Sequence, residues 1–135
     1  MKKLDHIAIF VEDMDAGIAF YRDLLGGDPV IAPVPELGIT CAFFATGQAP
    51  AIELVSFSGK GELRHGDVVV AIEVDNLDDA FAEYRALGWK VHDQRPTENL
   101  PLRRGWITKQ DGHGTIIELC QTGEIARFIE SCRQA

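Results

Sequence analysis

The chain has 135 residues, a mass of 14.9 kDa, a formal net charge of -8 and a pI near 4.9. That acidity repels polyanions, which excludes nucleic acid and an anionic membrane surface as main partners, and no run approaches the roughly 20 apolar residues of a membrane-spanning helix. Three cysteines, Cys41, Cys120 and Cys132, are an odd number without paired spacing, so a reducing, cytoplasmic setting is expected.

The first six residues, Met1-Lys2-Lys3-Leu4-Asp5-His6, lead straight into a strand and lack the apolar run and cleavage pattern of an export signal. Ile7, Ile9 and Val11 alternate with His6, Ala8 and Phe10, which turns the two sets to opposite faces of that strand. Asp13 then caps a helix with Met14, Ile18, Tyr21 and Leu25 along one stripe, and Gly26-Gly27 followed by Pro29 ends it. Apolar, β-rich runs follow over 29–32, 39–45 and 51–56. Residues 58–66, rich in glycine and charge, read as a linker.

The second half repeats the plan. Val68, Val70, Ile72 and Val74 line one strand face, Asn76 caps, Leu77, Phe81, Tyr84 and Leu87 form the helix stripe, and Gly88 stops it. Three further strands are expected over 90–93, 105–109 and 115–121. A closing amphipathic segment carries Ile125, Phe128, Ile129 and Cys132 on one side and is expected to pack across an edge of the sheet. The chain thus divides into a first βαβββ module over 1–57, the linker, a second module over 67–122, and a C-terminal helix over 123–135.

The two modules are copies of one pattern. A shift of 63 residues lays 4–24 on 67–87 and matches Ala8 with Ala71, Ile9 with Ile72, Val11 with Val74, Tyr21 with Tyr84 and Arg22 with Arg85. Further on, Ile52-Glu53-Leu54 matches Ile117-Glu118-Leu119. Each module therefore offers one strand position near its start and one near its end: His6 and Glu53, then Val69 and Glu118. By parity all four lie opposite the larger apolar sets, toward whatever space the sheet encloses. Three of them can hold a metal ion; the aliphatic Val69 cannot. Glu118 has Ile116 and Cys120 as same-face neighbours, so its carboxylate needs a partner: a metal, His6 or a proton.

The opening Leu4-Asp5-His6-Ile7-Ala8-Ile9-Phe10-Val11, the helix end Tyr21-Arg22-Asp23-Leu24-Leu25-Gly26, the segment Val34-Pro35-Glu36-Leu37-Gly38-Ile39 and the closing Ile117-Glu118-Leu119-Cys120 resemble the vicinal oxygen chelate superfamily, also called the glyoxalase/bleomycin-resistance/dioxygenase group. Within it the pattern is most similar to the methylmalonyl-CoA epimerase branch. The resemblance implies an α+β fold in which the two βαβββ modules form an eight-stranded, partly closed mixed sheet enclosing a cavity. It implies a divalent ion (Co, Mn, Mg, Fe or Zn) on His6, Glu53 and Glu118, with Val69 where a second His is expected. It also implies an isomerase, epimerase or lyase moving a proton next to a carbonyl or thioester, an acyl-CoA as the small-molecule substrate, and a homodimer.

In this reading Glu36 is the base and Glu118 a second catalytic carboxylate. A dry pocket would raise the pKa of Glu36 toward the operating pH, which suits a base for such a proton. Phe44, Val69, Arg104 and Trp106 are expected to line the substrate site, with Arg103, Arg104 and Lys109 available to a phosphate or carboxylate. His113, in Asp111-Gly112-His113-Gly114, reads as part of a turn before the last strand. Two other activities are compatible with the pattern: a metal-free relative that binds or rearranges an organic molecule, and an antibiotic-binding resistance protein.

Overall fold

The computed structural model describes residues 1–48, 50–56 and 61–134. Its elements run β1 (Lys3–Val11), α1 (Met14–Leu25), β2 (Val30–Val34), a 3-10 turn (Pro35–Leu37), β3 (Ile39–Phe44), β4 (Ala51–Ser56), β5 (Val68–Val74), α2 (Leu77–Ala86), β6 (Val91–Gln94), β7 (Arg104–Ile107), β8 (Ile116–Gln121) and α3 (Glu124–Gln134). Of the expected linker, residues 58–60 lie outside the described residues.

Each helix starts where the sequence places its cap. The Asp13 side chain accepts from the Ala16 backbone N–H at 3.0 Å and that of Asn76 from Asp79 at 2.9 Å, each relieving a donor at the exposed helix end. Gly26, at φ 80, closes α1 in the left-handed conformation that a Cβ disfavours.

The eight strands form one mixed sheet in the order β2-β3-β4-β1-β5-β8-β7-β6. β1 pairs with β5 antiparallel at the centre, while β1–β4 and β5–β8 are parallel. The two halves are therefore related by an approximate two-fold between β1 and β5, which is the spatial form of the sequence repeat.

Parity sorts the side chains into two layers. On the outer face, Val11, Ala42, Phe44 and Leu54 pack under α1 with Ile9, Met14, Ile18 and Tyr21, and Val74, Leu77, Ala80, Phe81, Val91, Ile107 and Leu119 form the layer under α2. On the concave face, Ala8, Val55 and Val69 lie with the half-buried Phe10, Ile39, Trp106 and Ile116.

The C-terminal helix does not merely flank an edge. Ile125, Phe128 and Ile129 of α3 pack with Phe43, Ala51, Ala71 and Cys120 on the concave face, together with Leu100 and Leu102 of the loop before β7. The apolar stripe of α3 is thus buried against the concave face.

The contact between α2 and β7 is close enough to demand a glycine. A Cβ on Gly105 would stand 2.3 Å from Cε1 of Phe81 and 3.2 Å from Cδ1 of Leu119. Gly105→Ala is accordingly expected to lower stability by about 1–3 kcal/mol through overpacking, read as a reduced midpoint in urea unfolding. A midpoint equal to that of the parent chain would show that α2 is free to retreat.

Candidate functional site

His6 sits in the floor of the cup. It pairs across β1 with Ala51 of β4 and Ala71 of β5, and Ala71 in turn pairs with Glu118 of β8, so His6 and Glu118 share one row of the concave face. Glu53 lies one step along, opposite Ala8. The small side chains between them, Ala8 and Ala71, leave room for the longer ones to converge. His6 Nε2 stands 3.1 Å from Glu53 Oε1 and 3.0 Å from Glu118 Oε1. His6 is 0% exposed, Glu118 2% and Glu53 8%.

Two residues complete the group, and neither partnership was read from the sequence. Asp5 Oδ2 lies 2.6 Å from His6 Nδ1, although strict alternation would send Asp5 to the outer face. A bulge in the β1–β5 register between Leu4 and His6 removes that alternation: two residues of β1 face one of β5, and Asp5 turns inward. Arg104 donates from Nη1 to Glu118 Oε2 at 3.0 Å, and its guanidinium lies 5.2 Å from the Trp106 ring centroid. A signal for Arg104 did exist, since it occupies the concave parity of β7 directly opposite Cys120 and beside Glu118.

The protonation states follow from this crowding. Burial alone would lower the His6 pKa, but the carboxylates of Asp5, Glu118 and Glu53 around the ring outweigh it and raise it to about 12. Burial would raise Glu118, yet the close His6 ring and its charge, followed by the charge of Arg104, hold its carboxyl below the usual carboxylate range. Without a metal, His6 is thus an imidazolium among carboxylates. Its raised pKa contributes stability that is complete below about 6.5, its unfolded value, and is lost as pH climbs toward 12.

The donor set fits a divalent ion at His6 Nε2. That atom is buried and makes no hydrogen bond of acceptable geometry although two carboxylate oxygens flank it. Asp5 at Nδ1 fixes the ring so that Nε2 faces the carboxylates, and Arg104 holds the far oxygen of Glu118 so that the near one faces His6. Val69, fully buried beside Ala8 and Val55, supplies nothing at the fourth corner.

The other expected site residues divide. Trp106 is on the concave face, with Nε1 donating to Gln94 Oε1 at 2.6 Å. Phe44 is not: it lies under α1, its ring centroid 6.1 Å from that of Tyr21, because β3 presents Cys41 and Phe43 inward and Ala42 and Phe44 outward. Phe43 is the aromatic that reaches the concave side, where it meets Phe128 edge-on.

Glu36 also departs from expectation. It is exposed on the 3-10 turn, not in a dry pocket, and accepts from the Asn99 backbone N–H at 2.5 Å and side-chain amide at 2.9 Å. Residual desolvation pulls its pKa up, but those Asn99 bonds outweigh it and lower the pKa to about 2. Arg103 is spent outside the cup on Asp93 at 3.0 Å and Asp78 at 2.8 Å, and Lys109 on Asp67 at 2.7 Å. His113 takes φ 54 in the turn before β8.

The half-closed sheet built from two βαβββ units, with acid and imidazole donors in its floor, defines the glyoxalase-like class. A family model described as the Glyoxalase/Bleomycin resistance protein/Dioxygenase superfamily matches residues 3–132, and the chain belongs to that superfamily. Among curated relatives, the mitochondrial methylmalonyl-CoA epimerase of Bos taurus is 30% identical over 98 residues, covering 62% of this chain and 53% of that protein. That of Mus musculus is 28% identical over 96 residues, covering 62% and 52%. The chain spans about half the length of the curated relatives it matches.

Among solved structures, methylmalonyl-CoA epimerase from Mycobacterium tuberculosis superposes with a TM-score of 0.72 at 28% identity, covering 92% of this chain and 91% of that one. A methylmalonyl-CoA epimerase in complex with methylmalonyl-CoA and NH4+ gives 0.73 at 22%, covering 93% and 97%, a likeness of fold.

Because His6 holds its proton at neutral pH when no ion is bound, loading Mn(II) on Nε2 is expected to release about one proton per ion. Calorimetry at pH 7 in buffers of different ionisation enthalpy reads this directly; a heat independent of buffer would mean the ion bypasses His6. Asp5→Asn, which weakens the support at Nδ1, is expected to reduce Mn(II) affinity by about 10–100-fold.

Proposed function

We propose that this protein moves a proton at the carbon next to a thioester carbonyl, as an epimerase acting on an acyl-CoA. The observation that supports this most is the placement of Glu118: a buried carboxylate bonded on one oxygen by Arg104 and facing His6 with the other. The curated relatives and the superposed structures bear the name of such an enzyme.

A divalent ion on His6, Glu53 and Glu118, when bound, supplies Lewis-acid polarisation of the carbonyl. The rest falls to side chains. Epimerisation removes a proton from one face of the carbon and returns one to the other, so two acid–base groups from opposite sides serve it best. Glu118, on β8 in the second half of the sheet, and Glu36, on the turn between β2 and β3 in the first half, are our assignment.

Asn99 keeps Glu36 ionised, which is the state that accepts a proton, at the expense of base strength. To balance the exchange, the carboxylate on one face takes the proton from carbon, while the carboxylate on the other face, having first taken a proton from solvent, returns it to carbon; the first then passes its proton to solvent. In this reading the apolar side chains around Val69 shield that exchange from water and Trp106 borders the acyl group, which their clustering on the concave face supports. The same reading carries a homodimer and a cytoplasmic location. Sedimentation over a concentration series checks the former.

Deuterium uptake at carbon two of methylmalonyl-CoA, followed by NMR with metal-loaded protein, tests the activity. Uptake is expected in the parent chain and is expected to fall by about 10²–10⁴-fold in Glu118→Gln and in Glu36→Gln. If the metal-loaded parent chain shows no uptake, the epimerase assignment is removed. If Glu36→Gln exchanges at the parental rate, Glu36 serves only as a clamp on Asn99.

A further inference from the structure

The second nitrogen of His6 faces a different set of donors. Asp5, His6 and Cys120 each bring a donor atom within 4.8 Å of the other two, a metal-sized group of three donor kinds drawn from β1 and β8, with Asp5 Oδ2 on the Nδ1 side of the ring at 2.6 Å. His6 and Cys120 are almost wholly buried, and the Asp5 side chain is only 11% exposed. Chain geometry assembles this group through the bulge, since without it Asp5 would face outward, away from Cys120.

We propose that Asp5, His6 Nδ1 and Cys120 form a second metal site, selective for thiophilic divalent ions such as zinc and cadmium. A carboxylate, an imidazole nitrogen and a thiolate are a donor set that zinc takes in tetrahedral sites, with water in the fourth position. Glu53, Glu118 and Nε2 are richer in oxygen and suit harder ions such as manganese or magnesium. The charges agree as well: one carboxylate and one thiolate neutralise a divalent ion inside the core, which limits the cost of burying it.

The two sites share one imidazole, so they are not independent. An ion at Nδ1 takes Asp5 away from the hydrogen bond that orients the ring, and so competes with a hard ion at Nε2. Zinc is therefore expected to weaken Mn(II) binding without occupying the same donors.

Cobalt(II) alone is the probe, because thiolate ligation gives an intense near-ultraviolet charge-transfer band that oxygen and nitrogen ligands do not. The parent chain is expected to show this band at about one equivalent. Cys41→Ser, which removes the other buried thiol of the concave face, should retain it. Cys120→Ser should lose it and bind zinc more weakly by more than the roughly 10–100-fold that loss of an outer partner costs, with circular dichroism confirming the fold.

Should Cys120→Ser fail to fold, cadmium-113 NMR of the parent chain and of Asp5→Asn decides. A sulfur-shifted resonance that weakens in Asp5→Asn supports the site. Cobalt binding without the band, a band that survives in Cys120→Ser, a cadmium resonance without a sulfur shift, or no metal uptake would each overturn it.

Discussion

A carboxylate moved out of water loses several kcal/mol of solvation, and this sheet buries two of them in its floor. Glu53 and Glu118 are tolerable there because one imidazole stands between them and takes up a proton or a metal on their behalf. His6 is thus the centre on which the concave face depends: remove it and two acids share a dry compartment with only Arg104 for compensation. The neighbouring small residues, Ala8, Ala51 and Ala71, follow from the same constraint, since anything larger would occupy the space in which the three side chains meet.

The approximate two-fold of the fold brings equivalent strand positions to one place, but the two copies have taken different residues. Where the first half has His6, the second has Val69, and the apolar side chain draws Ala8, Val55, Trp106 and Ile116 into a water-excluding group. Asp5 and Arg104 stand on either side of His6 and Glu118. One orients the ring through Nδ1 and the other fixes Glu118 through its far oxygen.

α3 with Leu100 and Leu102 covers one apolar group of the concave face, and half-buried Phe10, Trp106 and Ile116 belong to another, with Ile39 packed against both. Arg103 and Lys109 are paired with aspartates outside the cup, so the positive charge that does reach the concave face is concentrated in Arg104 and in whatever His6 carries. The net charge of -8 leaves the chain as a whole repulsive to anions, so any attraction to one is local to Arg104 and His6.

Read from the sequence alone, the repeat, the caps at Asp13 and Asn76, the alternation along β1, β4, β5 and β8, and the convergence of His6, Glu53 and Glu118 were all legible. Each is a local pattern, or the same local pattern twice, and backbone periodicity converts such patterns into faces. What needed the tertiary structure were the departures from periodicity and the long-range pairings. Asp5 enters the site through a bulge that alternation cannot foresee. Glu36 is clamped by Asn99, 63 positions away, and loses the dry setting that would have made it a stronger base. Phe44 and Phe43 exchange roles by one residue of parity on β3. The α3 stripe announced a helix with one buried face, but only the three-dimensional arrangement decided that the surface it covers is the inside of the cup. Sequence determined which side chains could meet; the bulge, the sheet curvature and contacts between distant segments decided which of them do.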